Sequence, residues 1–569
     1  MSSPVEHFHL IICAHGLVGT PEDLQYFSNA LVKAGHPGSF VIKTSAPTSS
    51  DAAPSPQDVE IGELPSPPKD RPIVIVLNSA ANVDGTFDGV DFCAFRLVQE
   101  IKSHVKSLRL QSNVKGHYRH LAQISLLGHS LGGLIARFAV GLLEQDGFFA
   151  SVPEDQIPAD VTDEPTRSIL ATPPQPSIFV SFATPHVGMP PESRSGRPWL
   201  AKITAGTMGR TGLQLYLLDD GWDSSFEPSG PSDSDRPRVG ILEAMTKPGS
   251  NFMVGLSRFD RVVAYANATY DFPVAFRTAS LYPVDPFVIR GIKWEVCPQY
   301  DGIVTQYTLP TKPLSFLDKV KQRFKPPALF NPRRIPAKFP LNYLIVLLMP
   351  LFFVFLLPPM LAAVIFFFRS HAKKSAARLQ DLIREERLQE QGGERDTEAV
   401  TTLIPPVPGD DSAASAQLDS ASTVSEANET WYARRRAHFV QPAFADPFNN
   451  KSSGADPFLS TSTIDVSSIS SSSNPEKLAS TILSLLSTST THTKYPLPPS
   501  LPPTQRHLHT PQLRMIAHWS LVLGHKFERH FVKIEDVFDT HPLIVVKREA
   551  NKFDLRGRGI VQHFIDKHL

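Results

Sequence analysis

Ser130 stands in the run LLGHSLGGLIARF, where Gly128-His129-Ser130-Leu131-Gly132 matches G-x-S-x-G. A serine hydroxyl so placed can attack an acyl carbon, provided that a base takes its proton and two fixed amides hold the oxyanion that forms. The surroundings are those the pattern requires. The apolar run AQISLLG reads as a strand before it, and Leu131, Leu134, Ile135, Phe138 and Leu142 form one stripe of a helix after it. Ordinary turns also carry Gly-Ser-Gly, but without a buried strand on one side and an amphipathic helix on the other. Glycine flanks the serine because a β-carbon at either position would crowd a sharp, strained turn.

In such a turn one oxyanion donor is the amide after the nucleophile, here Leu131, and the second comes from a loop after an early strand. His15-Gly16-Leu17 is that loop: it follows FHLIICA and precedes a helix that Thr20, Pro21, Glu22 and Asp23 can open. The Leu17 N–H is the expected donor, with Gly16 the neighbouring alternative. The remaining partners follow in the order Ser, Asp or Glu, His. Asp271, directly after RVVAYANATY, suits the acid; Asp260 and Asp301 compete with it, since loop aspartates are commonly turn formers. No histidine occurs from Val187 through Ser370, so the base lies late in the chain. His541, in FDTHPLIVVKRE, is favoured because it precedes the terminal helical run. His563, within RGIVQHFIDKHL, is the alternative, as a helix interior aims it less freely. His371, His438, His492, His507 and His509 lie where nothing would hold an imidazole in place.

Alternating strands and helices must position these groups. FHLIICA, RPIVIVLN, AQISLLG, PSIFVSFAT and RVVAYANA are continuous apolar runs of the kind buried on both faces of a parallel sheet. FCAFRLVQEIKSHVKSLRL carries Phe95, Val98, Ile101, Val105 and Leu108 close to one helical face. The expected class is α/β: an α/β-hydrolase fold, mostly parallel sheet with helices on both faces, plus a membrane hairpin and a disordered tract. Residues 1–310 are read as the hydrolase core, with surface insertions at 45–70 and 150–176 and a lid candidate at 188–235. Residues 311–385 form a basic-flanked membrane segment, and 386–510 a Ser/Thr/Pro-rich linker too poor in apolar surface to fold. Residues 511–569 return to globular pattern, with HWSLVLG and HPLIVVKRE as strands and a terminal helix, and complete the core.

The stretch Leu341–Phe368 contains no charge and exceeds the roughly 20 residues a helix needs to cross a bilayer. If His541 serves Ser130, both lie on one side of that bilayer, so the chain must enter and leave by the same face. Pro350, Pro358 and Pro359 would permit a hairpin, and basic residues flank both ends, Lys338 and Arg334 before it and Arg369 and Lys373 after it.

Lys plus Arg and Asp plus Glu are both 56, so there is no net charge to attract a polyanion, and no nucleic-acid partner is expected. Three scattered cysteines, Cys13, Cys93 and Cys297, fit neither a zinc site nor a disulfide framework and suit a reducing, cytosol-facing location. The triad chemistry needs no cofactor and no metal.

HLIICAHGLVGTPEDLQYF, LLGHSLGGLIARFAVG, FVSFATPHVGM, VVAYANATYDFPVAFRTAS and HPLIVVK followed by VQHFIDKHL resemble the serine esterases of the lipase-like α/β-hydrolase group, which includes fungal lipid-droplet phospholipases. The resemblance maps the family's early His-Gly loop on His15-Gly16, its serine on Ser130, its acid on Asp271 and its late histidine on His541 or His563. His186 falls in the family's Thr-Pro-His-x-Gly segment and is read as structural. It implies a membrane-anchored hydrolase of lipid acyl esters at the endoplasmic reticulum or a lipid droplet, catalytic domain toward the cytosol. The alternatives are an acyltransferase or protein deacylase on the same scaffold, and an inactive membrane tether.

Overall fold

The computed structural model describes residues 5–35, 37–42, 73–110, 118–159, 161–189, 198–219, 222–223, 238–289, 291–310, 340–398, 469, 474–487, 495, 508–524 and 526–569. The insertion at 45–70 and parts of the lid candidate lie outside these residues. The strands are β1 (Val5–Ala14), β2 (Phe40–Ile42), β3 (Ile73–Asn78), β4 (Tyr118–His129), β5 (Gln175–Phe182), β6 (Trp222–Asp223), β7 (Arg238–Val239), β8 (Arg261–Asn267), β9 (Lys293–Val296), β10 (Ile303–Thr308) and β11 (Phe527–Val532). Nine of them form one sheet in the order β2-β3-β1-β4-β5-β8-β11-β10-β9. Pairing is parallel from β2 to β11 and antiparallel at β10 and β9.

Both faces of this sheet are covered, which is why its strands read as unbroken apolar runs. Along β1, Leu10 and Ile12 face α2 (Val90–Leu110) and α3 (Leu131–Gln145), whereas Ile11 and Cys13 face α1 (Gln25–Ala34) and the terminal helix Arg558–His568. The five strands expected within residues 1–310 and the α2 stripe are present, as is the terminal helix. The α/β class and its parallel sheet hold.

Four expectations fail. HWSLVLG is the end of a helix, Thr510–Leu523, opened by Pro511 and buried along Leu513, Ile516, Ala517 and Leu523. HPLIVVKRE holds only a 3-10 turn, Leu543–Val545. The strand of this region is instead FERHFV, β11, whose charged residues hide it: Arg529 is buried over the Phe527 ring, and His530 packs on Tyr265. The 386–510 segment is not wholly without fold either. Pro475–Ser487 is a helix, capped by Asn474 and packed through Leu478, Ile482 and Leu486, a four-residue spacing that its serines obscure.

The hairpin expected at 341–368 is absent. Leu341–Leu351, a π-helical turn Phe352–Leu356 and Leu357–Glu398 form one helical run. A proline removes one amide donor and crowds the preceding turn, and a local π turn absorbs both effects without reversing the chain.

Burial lowers the pKa of His9, His518 and His568 to about 4 and that of His563 to about 3. These imidazoles stay neutral in the fold but take a proton near pH 6.5 when the chain unfolds. The unfolded state then binds more protons, so stability is complete above about pH 6.5 and falls as the pH drops toward about 4. Thermal unfolding followed from about pH 7 to about pH 4.5 should show a steady decrease in Tm; a flat profile would contradict neutral burial.

Candidate active site

Ser130 sits between β4 and α3 with φ 56° and ψ −127°, a left-handed strain that lifts its side chain clear of the turn. The neighbouring glycines are required by close approach. A β-carbon on Gly128 would meet the Gly133 backbone, and one on Gly132 would meet the backbone of Ala14 and His15. Because β1 and β4 are adjacent, the loop after β1 reaches the serine: a β-carbon on Gly16 would lie 2.9 Å from Ser130 Cβ. Gly16 and Gly19 close a turn by a 3.0 Å backbone hydrogen bond, and the Val18 amide donates to Thr86 Oγ1 at 3.0 Å. Leu17 follows Gly16 in that loop, and as the first residue of α3 Leu131 has an amide that the helix does not use.

The structure brings His541 to Asp271. His541 Nδ1 lies 3.1 and 3.2 Å from the two carboxylate oxygens, across the loops that follow the adjacent parallel strands β8 and β11. Asp271 is held from behind by the Val274 amide at 2.9 Å and by Asn267 Nδ2 at 2.8 Å. The two loops are tied together by residues that the sequence did not single out. Asp539 accepts from the amides of His541, at 3.0 Å, and Phe272, at 3.3 Å. Thr540, fully buried, donates through Oγ1 to the Thr269 carbonyl at 2.8 Å and through its amide to that of Tyr270 at 2.9 Å. The Asp-Thr-His order was the available signal, since short polar side chains there can bond nearby backbone.

His541 reaches the serine's own turn: His129 Nε2 donates to the His541 carbonyl at 3.0 Å, and their ring centroids are 4.8 Å apart. Burial, then the neighbouring His541, holds His129 well below the ordinary histidine range, and burial likewise lowers His15. Both remain uncharged and leave room for a positive charge on His541.

The rival candidates lie elsewhere. His563 faces Tyr265, with its Nδ1 2.8 Å from the phenol oxygen, and contacts the His530 ring rather than either acid loop. Asp260 precedes β8 at the opposite edge of the sheet and accepts from Gln175. Asp301 lies against the start of the terminal helix, at Gly559. His186 is buried, 2.8 Å from Ser181 Oγ, in the structural role expected of it. His371 packs beside Phe367 and Phe87; His438, His492 and His507 lie outside the described residues.

Residues 57–281 match the family described as "Putative serine esterase (DUF676)". The match includes Ser130 and Asp271; the His15-Gly16 loop and His541 fall outside it. Over 215 residues the chain is 26% identical to a protein named "Putative lipase" in Schizosaccharomyces pombe, covering 37% of this chain and 22% of that protein. Over 216 residues it is 27% identical to "Putative lipase ROG1" of Saccharomyces cerevisiae, covering 37% and 24%. The chain therefore spans about a quarter of the length of these relatives. A solved structure of a "putative cell surface hydrolase" from Lactobacillus plantarum is 14% identical, with a TM-score of 0.23, over 48% of this chain and 74% of that one.

Proposed function

We propose that this protein is a membrane-associated serine hydrolase that cleaves acyl esters of lipids, phospholipid or acylglycerol, through an acyl-enzyme. The observation that carries the reading is the His541–Asp271 contact in a loop bonded to the Ser130 turn. His541 Nε2 takes the Ser130 hydroxyl proton as Oγ bonds to the acyl carbon. Asp271 accepts the Nδ1–H, holds the tautomer and stabilises the imidazolium. The oxyanion rests on the Leu17 and Leu131 amides. The carbon–oxygen bond to the alcohol then breaks, the alcohol leaves with the proton from His541, and water repeats the sequence to free the acid and Ser130.

A lipid substrate is supported by the relatives' names and by an apolar helix that no protein core covers. Three free cysteines suit the cytosolic face of the endoplasmic reticulum or a lipid droplet.

A fluorophosphonate probe should label the wild-type protein on membranes and leave Ser130→Ala unlabelled. An unlabelled wild type would favour the tether over the enzyme. Product analysis with water and with an added alcohol separates hydrolysis from acyl transfer.

A further inference from the structure

The described part of the helical run from Leu341 is unevenly buried. Its apolar part stands clear of the protein, with Leu347 and Phe366 each 75% exposed. Its later part is seated on the core. Ser375 and Leu379 are buried, and Phe368 and His371 pack against Phe87. Arg378 Nη2 donates to Asp88 Oδ1 at 2.8 Å and to the Asp84 carbonyl at 2.9 Å. Asp88 is fully buried and also accepts from Arg96 at 2.8 Å, so removing either cation would leave an acid poorly compensated.

This seat dictates how the chain can meet a lipid bilayer. Leu309 packs on the core, yet Pro340 stands at the free tip of the helix. The apolar rod from 341 to 368 is ~42 Å long at 1.5 Å per residue, and the 29 residues of 311–339 can span both points at ~3.4 Å each. If the rod crossed the bilayer, those residues would have to cross it in the opposite direction. They contain eight cations: Lys312, Lys319, Lys321, Arg323, Lys325, Arg333, Arg334 and Lys338, against the single acid Asp318. Moving eight cations through hydrocarbon is strongly unfavourable.

The same edge of the domain carries a second apolar feature. The loops after β3, β8 and β11 emerge together because those strands are parallel. The first holds Phe87 and Asp88; the other two expose Phe272 (65%) and Phe538 (52%), their rings stacked 4.8 Å apart beside the Asp271 and His541 loops. Stacked phenylalanines left in water are costly unless another apolar surface covers them.

We propose that the helix lies within one leaflet of a phospholipid membrane instead of crossing it, and that the Phe272–Phe538 pair enters the same leaflet beside the active site. The arrangement rests on the membrane-lipid reading above. It brings the substrate's own surface to the mouth of the site and keeps Ser130, Asp271 and His541 on one side without a hairpin.

The test uses the full-length protein. Flotation with phosphatidylcholine–phosphatidylserine vesicles comes first; failure to float would remove the membrane reading itself. For protein that floats, Pro340→Cys in a Cys297→Ser background is treated with a membrane-impermeant maleimide added outside, Cys13 and Cys93 being buried. Equal labelling with and without detergent is expected. Labelling only after detergent would mean a crossing helix and overturn the orientation alone. The variant Phe538→Ser should lose several-fold in hydrolysis of vesicle-borne lipid while keeping its rate on a soluble short-chain ester. Unchanged rates on both substrates, or equal losses on both, would overturn the role of the pair.

Discussion

His541→Ala is expected to lower kcat/KM on an ester substrate about 10⁴-fold with little change in Tm, because it removes the base but leaves the oxyanion donors and the elbow in place. His541 is part-buried on a surface loop, so alanine there deletes few contacts. His563→Ala should behave in the opposite way. Its ring is bonded to Tyr265 and packed against Tyr300, His530 and His568, so the loss falls on Tm while kcat/KM stays within about tenfold. Kinetics and thermal unfolding of the two variants side by side decide the base. If His563→Ala abolished turnover at an unchanged Tm, the assignment of His541 would be wrong.

The second large effect concerns the loop after β1. Gly16→Ala would place a methyl group 2.9 Å from Ser130 Cβ, 3.3 Å from the His129 carbonyl and 3.4 Å from Ser130 Oγ. The loop must retreat, and the Leu17 amide retreats with it. A misplaced oxyanion donor costs about 10²- to 10³-fold in kcat, with KM much less affected, since the interaction exists only once charge has developed. Fluorophosphonate labelling should slow in parallel, because the phosphonyl oxygen would use the same donors. A variant with wild-type kcat would show that the second donor lies outside this loop.

Much of the site was legible because it is local. The glycines around Ser130, the strand before it and the helix after it lie within one short run, and each residue type reports directly on backbone geometry there. The His15-Gly16 loop was readable for the same reason. β11 was hidden because Glu528, Arg529 and His530 make it look like surface, although its place between β8 and β10 buries it on both sides. HPLIVVKRE misled in the opposite sense: its apolar residues are buried in a turn under the terminal helix, where no strand pairing is available. Among the serines of 475–487, the stripe of Leu478, Ile482 and Leu486 was concealed by composition, which averages over the periodicity that a helix uses.

The sequence by itself determined the parallel α/β core and the strand–turn–helix around Ser130, and its chain order pointed to a late histidine, since each rests on neighbouring residues or on chain order. Only the tertiary structure decided which histidine faces the acid. His541 and His563 both lie in ordered sequence after β11, and the insertion of that strand beside β8 brings the loop of one, not the helix of the other, against Asp271. The structure also replaced a hairpin with a continuous helix seated through Arg378 on Asp88. Proline positions report where a helix loses a hydrogen bond; whether the chain bends back or runs on depends on what its far end can grip.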